Sequence, residues 1–159
     1  MKKSQILLFI CIICITLTSC GKSKISYESE GKIELFKKVV QDLMDYDTEL
    51  NDDMRNIGVC FEDTSISDNE IDQLINKLTP FYTVPVIRYD YDKKQDDKMG
   101  TNNNKVVLIV LKVIEVRSQY VKIACLKAGA EYGAVGYTAY YQFKDNEWVL
   151  NKTEYNWLS

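Results

Sequence analysis

Histidine does not occur anywhere in the 159 residues. Its absence excludes Ser-His-Asp and Cys-His catalysis and zinc held by imidazole. Cysteine offers little more. Of five, Cys11, Cys14 and Cys20 fall in the first twenty residues, and Cys60 and Cys125 are too few for a cysteine-rich zinc site. A basic excess is missing too, since 20 Lys and Arg face 23 Asp and Glu. A nucleic-acid-binding domain would carry a basic patch, so no nucleic-acid partner is expected. No apolar run is long enough to span a bilayer. Ile6 to Ile15 is ten residues, and a helix of that length rises about 15 Å, against roughly 20 residues for a hydrocarbon core about 30 Å thick. The apolar run Lys105 to Arg117 is interrupted by Lys112 and Glu115. There are no internal repeats, and low complexity is limited to Asn102–Asn104. With no nucleophile, metal or cofactor motif, no catalytic residue, metal ligand or cofactor is assigned.

What the first twenty residues do contain is ordered. Lys2 and Lys3 precede the short apolar run with no acid among them, which is the layout of a secretory signal. Leu17-Thr18-Ser19-Cys20 follows, then the polar Gly21-Lys22-Ser23-Lys24. This stretch resembles the lipobox of bacterial lipoproteins, in which the cysteine thiol is lipidated, the signal is cut before it and the new amino group is acylated. The resemblance implies that residues 1–19 are removed and that Cys20 anchors the mature chain to a membrane. Stable anchoring needs more than one acyl chain, and that processing supplies three. An uncleaved signal anchor with an incidental Cys20 is the competing reading. The C-x-x-C spacing of Cys11 and Cys14, elsewhere a redox or metal pattern, falls in the removed segment and is set aside. Just after the lipid cysteine, such families use aspartate for inner-membrane retention and acidic runs for surface display. Neither is present here, so the resemblance implies the cell envelope, on the periplasmic face of an outer membrane or the outer face of a single-membrane cell.

Without residues 1–19 the chain has 140 residues, one domain of common size. Lys2 and Lys3 leave with the signal, so 18 basic residues face 23 acidic ones. Residues 20–30 read as a flexible tether and 31–159 as a single α+β domain. Ile33, Phe36, Val40 and Leu43 recur at helical spacing, widened by Leu35, Val39 and Met44, and predict a helix from Glu30 to about Tyr46. Ile57 to Asp63 reads as a short strand or a turn. Ser67-Asp68-Asn69-Glu70 is a capping box opening a second helix with Ile71, Leu74, Ile75 and Leu78 on one face, ended by Pro80. Everything beyond reads as strand. Phe81 to Tyr91 contains Pro85 and suits an edge. Lys105 to Arg117 suits a central strand covered on both faces, and Val121, Ile123 and Cys125 share one face of the next. Asp145-Asn146 is placed for a tight hairpin turn. The expected fold is therefore two N-terminal helices packed on a curved antiparallel sheet of about four or five strands.

The chain's ending, Gly136 to Tyr141, Asp145-Asn146, Trp148 and Trp157, is similar to that of small bacterial lipoproteins with a nuclear-transport-factor-2-like (cystatin-like) domain. The similarity covers about the last 25 residues and the helix-before-sheet order. It implies a sheet whose concave side can form a cone-shaped pocket.

Several clusters remain. Asp90, Asp92, Asp96 and Asp97 lack the glycine that a calcium loop needs at its sixth position, where Gln95 stands, and read as a solvated hairpin tip. Asp52-Asp53 and Glu62-Asp63 read as solvated loops. Cys60 and Cys125 are either a disulfide, as an oxidising compartment would allow, or two buried thiols. Tyr82, Tyr89, Tyr91, Tyr120, Tyr132, Tyr137, Tyr140, Tyr141, Tyr155, Trp148 and Trp157 gather in the sheet half. They are either core and cross-strand pairs or a recognition surface, with Tyr137, Tyr140, Tyr141, Trp148 and Tyr155 as the candidate surface or pocket. Alternation places Tyr137 and Tyr141 on one face, with Val135 and Phe143, and Tyr140 on the wetter one. The expected function is a lipid-anchored, non-catalytic envelope module that binds a protein partner, of the immunity or toxin-neutralising type in its sharper form. The alternative is a small-ligand binder or a carboxylate-dependent enzyme using the cone-shaped pocket.

Cys20→Ala is expected to release the chain from membranes while leaving the domain folded. Detergent partitioning and intact mass check this, and continued membrane association of an unaltered mass would exclude the lipid anchor.

Overall fold

The computed structural model describes residues 27–63, 66–90, 105–118, 120–129 and 133–158. The leader 1–19, Cys20, the tether as far as residue 26, and residues 91–104 with Tyr91, Asp92, Asp96 and Asp97 lie outside these, as does Tyr132. Helix α1 spans Ser29–Asp45. Its stripe of Ile33, Phe36, Val40 and Leu43, with Leu35, Val39 and Met44, is buried along its whole length. Each such side chain contributes about 1.5–3 kcal/mol on leaving water. A 3-10 turn at Thr48–Asn51 leads into β1, Asn56–Phe61. Helix α2, Asp68–Leu78, follows. Its capping box is formed as the sequence indicates: the Ser67 hydroxyl accepts from the Glu70 N–H while a Glu70 carboxylate oxygen, 2.8 Å away, accepts from the Ser67 N–H. Pro80 sits in a short 3-10 turn that ends the helix. The remaining strands are β2 (Val86–Arg88), β3 (Val106–Arg117), β4 (Tyr120–Gly129), β5 (Gly133–Lys144) and β6 (Glu147–Leu158).

These strands form one mixed sheet of six in the order β2-β1-β3-β4-β5-β6, which corrects the expected fold. The sheet is not purely antiparallel: β1 runs parallel to both β2 and β3, while β3 to β6 form an antiparallel meander. Nor are both helices N-terminal to the sheet. Helix α2 lies between β1 and β2 as the crossover that two adjacent parallel strands require. Of Phe81 to Tyr91, among the described residues, three pair as the edge strand that Pro85 suggests, while Phe81 lies in the 3-10 turn. The central strand is β3, whose first six residues, Val106 to Leu111, are buried on both faces.

Both helices pack on one face of the sheet, the inner face. Ile57, Val59, Val107, Ile109, Leu111, Val121, Ile123, Cys125, Val135, Tyr137 and Tyr141 meet them in one core. Alternation places Lys127 among these residues, and it is the most unusual of them, with no exposed surface. Its ammonium reaches the end of α1 and donates to the carbonyls of Leu43 (2.9 Å), Met44 (3.5 Å), Tyr46 and Asp47 (3.2 Å). The last carbonyls of a helix have no intrahelical partner and carry the negative end of its dipole. Helix α1 has no basic residue in its own last turn, so the cation is supplied by β4. Two further bonds fix α1 along the sheet: the Trp148 indole N–H donates to the Gly31 carbonyl at 2.9 Å, and the Tyr141 hydroxyl donates to the Asp42 carboxylate at 2.9 Å. Gly129, two residues beyond Lys127, lets the 48–51 turn approach, because a Cβ there would lie 2.9 Å from the Leu50 carbonyl oxygen.

Lys127→Met keeps the unbranched shape of the side chain, one atom shorter, and removes its donors. It is expected to destabilise the fold by about 1–3 kcal/mol, the cost of leaving buried acceptors unsatisfied, and to unwind the end of α1. Chemical denaturation and amide exchange at residues 43–47 check this, and full protection there would show that the cap is dispensable.

Candidate functional site

The aromatic residues divide cleanly between the two faces. Tyr137, Tyr141 and Trp148, three of the five proposed for a surface or pocket, belong to the core beneath α1. Tyr141 and Trp148 hold the helix, and Tyr137 packs edge-on against Tyr155 (4.9 Å between centroids) and Tyr46 (5.8 Å). The Tyr137 hydroxyl is buried and has no hydrogen-bond partner among the described residues. Tyr155 stands at the rim of this cluster, 61% exposed, with its hydroxyl 3.3 Å from the Asp47 carboxylate. The inner face is thus filled by side chains: where a cone-shaped pocket was the alternative expectation, Phe36, Tyr137, Tyr141 and Lys127 occupy the space. Glu70 is the one buried carboxylate among the described residues, and it serves the α2 cap and an ion pair with Lys32 at 3.2 Å.

Cys60 and Cys125 are not bridged. In the ladder Cys60 is the partner of Val110 and Cys125 the partner of Leu111. Because side chains alternate across a strand, the two sulfurs lie on opposite faces of the sheet, which corrects the disulfide reading.

The outer face, opposite the helices, has two parts. Across β1 and β3 it is apolar and buried, with Cys60, Tyr89, Leu108 and Val110 packed together. Across β4, β5 and β6 it is polar and aromatic. Tyr140 is its centre: its hydroxyl donates to Glu154 at 2.7 Å, and the ammonium groups of Lys122 and Lys152 lie 5.3 and 5.7 Å from its ring centroid. The bond to Glu154 holds the phenol above its ordinary pKa, and Lys152, then Tyr140, hold the Glu154 carboxyl below the usual range. Asn156 donates to Thr138 at 3.0 Å. Beyond them the Trp157 indole, 47% exposed, packs against Gly136. A Cβ on Gly136 would stand 2.6 Å from the indole nitrogen, so only glycine accepts the ring there. Beside Trp157 is a shallow depression of about 170 Å³ lined by Leu126, Ala124, Lys112 and Glu62. In the sequence Trp157 stands in the ending pattern and in the aromatic set, outside the five candidate surface residues. What marks it as a site residue is its register partner, Gly136, which a bulge in β6 hides from simple alternation.

Two other depressions compete. One of about 650 Å³ opens at the carboxyl ends of β1 and β2, beside the start of α2. Its charges are committed to the fold: Asp63 accepts from the Val113 N–H at 2.7 Å, Asp68 pairs with Arg88 at 2.7 Å, and Glu62 lies 3.7 Å from Lys112. Another, of about 450 Å³, lies between α1 and the β5–β6 hairpin. Among the described residues no group of three His, Cys, Asp or Glu could hold a metal ion. No protein-family model matches this chain, and no curated protein or solved structure is significantly similar to it.

The buried acids make the domain alkali-sensitive. Burial pushes the Cys125 thiol from its usual 9 up to about 12. Burial, then Asp45 and Asp42, raise Tyr82 to about 12. Burial and Asp42 raise Tyr141. Groups held protonated in the fold but titrating normally when unfolded stabilise fully below the unfolded pKa and lose that contribution as pH rises through the folded one. Lys127, pushed down to about 8 by burial against the pull of Asp47 and Asp45, works the other way from about pH 8 to its unfolded value. The gain at Lys127 offsets the loss at Cys125 up to about pH 10, so stability is expected to fall between about pH 10 and pH 12 as the tyrosines add to the loss, and Cys125→Ala to delay the onset by removing the first of the opposing groups to titrate. Denaturant midpoints across that range check this, and an unchanged onset in Cys125→Ala would show that another group dominates.

Proposed function

We propose that this chain is a non-catalytic binding module of the cell envelope, lipid-anchored through Cys20, whose outer sheet face over β4–β6 receives a protein partner. The observation that carries this reading is Trp157, packed against Gly136, on the same sheet face as Tyr140, a face that the two helices leave open. Rigid aromatic side chains set among charged and amide groups are the composition of recognition surfaces. The filled inner face supports it further, because a catalytic or small-ligand reading needs a concave, enclosed site.

The anchor constrains how the partner approaches. Cys20 lies seven residues before Tyr27, a span of at most about 25 Å. The start of α1, bonded to Trp148 at the β5–β6 hairpin, is therefore held near the membrane, and the outer face stands to the side. The acidic balance of the mature chain would favour encounter with a basic partner, which suits an immunity or toxin-neutralising role.

The test is a crosslinked pull-down from native membranes with three variants. Tyr140→Ala and Trp157→Ala are expected to leave the melting temperature close to wild type and to lose capture of the same protein. Tyr141→Ala is expected to cost about 3–5 kcal/mol of stability, as truncation of a core aromatic does. Unchanged capture in both surface variants, or a Tyr140→Ala variant as unstable as Tyr141→Ala, would overturn the outer-face reading.

A further inference from the structure

Strand β6 is the last in the sheet order, so among the described residues one of its sides has no strand neighbour. It is twelve residues long, whereas the strand at the opposite edge, β2, has three. A long open edge presents a row of backbone donors and acceptors ready for another strand, and the side chains of β6 indicate which strand fits.

The register with β5 places four side chains of β6 on the outer face: Val149 opposite Gln142, Lys152 opposite Tyr140, Glu154 opposite Thr138 and Trp157 opposite Gly136. These four are symmetric about Thr153. Lys152 and Glu154 flank it at one residue on either side, and Val149 and Trp157 at four. Val149 and Trp157 are also exposed apolar side chains, at 41% and 47%.

We propose that two copies of this chain join edge to edge through β6, antiparallel, about a two-fold axis at Thr153. An axis perpendicular to the sheet keeps both outer faces on the same side. Lys152 of each copy then stands opposite Glu154 of the other, and Val149 opposite Trp157. Lys152 and Glu154 already form an ion pair within one chain, so the dimer completes a square of alternating charges. Directly opposed unlike charges and apolar pairs are what stabilise neighbouring strands. Other registers fail on the same residues. A shift of the axis to Lys152 or to Glu154 opposes two like charges, and an offset of one residue in the pairing sets outer-facing side chains against inner-facing ones.

The association also closes. Once β6 is paired, the remaining edge at each end, among the described residues, is the three-residue β2, too short to carry the sheet further. The interface shares Lys152, Glu154 and Trp157 with the outer face but forms at the edge of the sheet, and its test needs no partner.

The experiment uses the full chain in detergent and in membranes. Thr153→Cys places one thiol on the axis, and mild oxidation is expected to yield a covalent dimer, the other domain cysteines being buried. On that background Lys152→Glu or Glu154→Lys alone is expected to reduce the dimer about tenfold, since each creates two like-charge pairs. The exchange Lys152→Glu with Glu154→Lys is expected to restore it. Melting curves confirm that each variant is folded, and sedimentation equilibrium of the wild type gives the mass independently of any cysteine. A wild-type monomer throughout the micromolar range, absence of the Thr153→Cys dimer in a folded variant, or failure of the charge exchange to restore it would overturn the proposal.

Discussion

One buried cation organises this domain. Helix α1 ends against the sheet, and the carbonyls of Leu43, Met44, Tyr46 and Asp47 converge on the ammonium of Lys127. Left in an apolar core, these acceptors would oppose packing the end of the helix against the sheet. Left without them, the lysine would be an uncompensated charge. Each makes the burial of the other tolerable, and together they set where α1 stops. The three ammonium hydrogens are shared among four oxygens, an arrangement that holds the chain from residue 43 to residue 47 in one conformation. The Thr48–Asn51 turn can then settle against Gly129.

The division of the aromatic residues follows from that anchorage. Lys127 and Tyr141 hold the last turn of α1 and Trp148 its first, so the helix is pinned across β4, β5 and β6. Every β5 side chain of one parity is consequently covered, and Tyr137 and Tyr141 are lost to recognition. Every side chain of the other parity faces away from both helices. The same strand thus carries structural and surface tyrosines side by side, and residue 140 differs from 141 in role because α1 has only one face of the sheet to cover.

Much of this was written locally and could be read. The α1 stripe, the Ser67 to Glu70 cap and the Asp145-Asn146 turn, whose φ angles are 52° and 71°, are set by neighbours within a few residues. The parallel pairing of β1 was not, although it left traces. Ile57 to Cys60 is buried without alternation, as a strand covered on both faces is, and a strand-helix-strand order around α2 is the pattern of a parallel crossover. What hid it was β2, whose three paired residues give almost no pattern of their own. Lys127 shares parity with Val121, Ile123 and Cys125, so a charge on the core side of β4 was visible in the sequence. Its acceptors are backbone carbonyls some eighty residues earlier, and carbonyls leave no mark in the sequence. The β6 register was unreadable for a similar reason: the unmatched Asn151 and Asn156 break alternation twice, so the meeting of Trp157 with Gly136 emerges only in three dimensions.

That meeting also explains how an exposed indole can be part of the structure. A tryptophan free to swing on a strand would have to be ordered when anything bound to it, and that ordering costs affinity. Here the missing side chain of Gly136 leaves room for the ring, which packs against it while remaining 47% exposed. The ordering is supplied by folding, in the same cooperative step that sets the β5–β6 register. The polar row beside it is fixed in a similar way, Tyr140 between Glu154, Lys122 and Lys152 and Thr138 bonded to Asn156. The outer face of β4 to β6 is therefore a surface of defined shape, and what contacts it meets side chains whose positions the fold has already chosen.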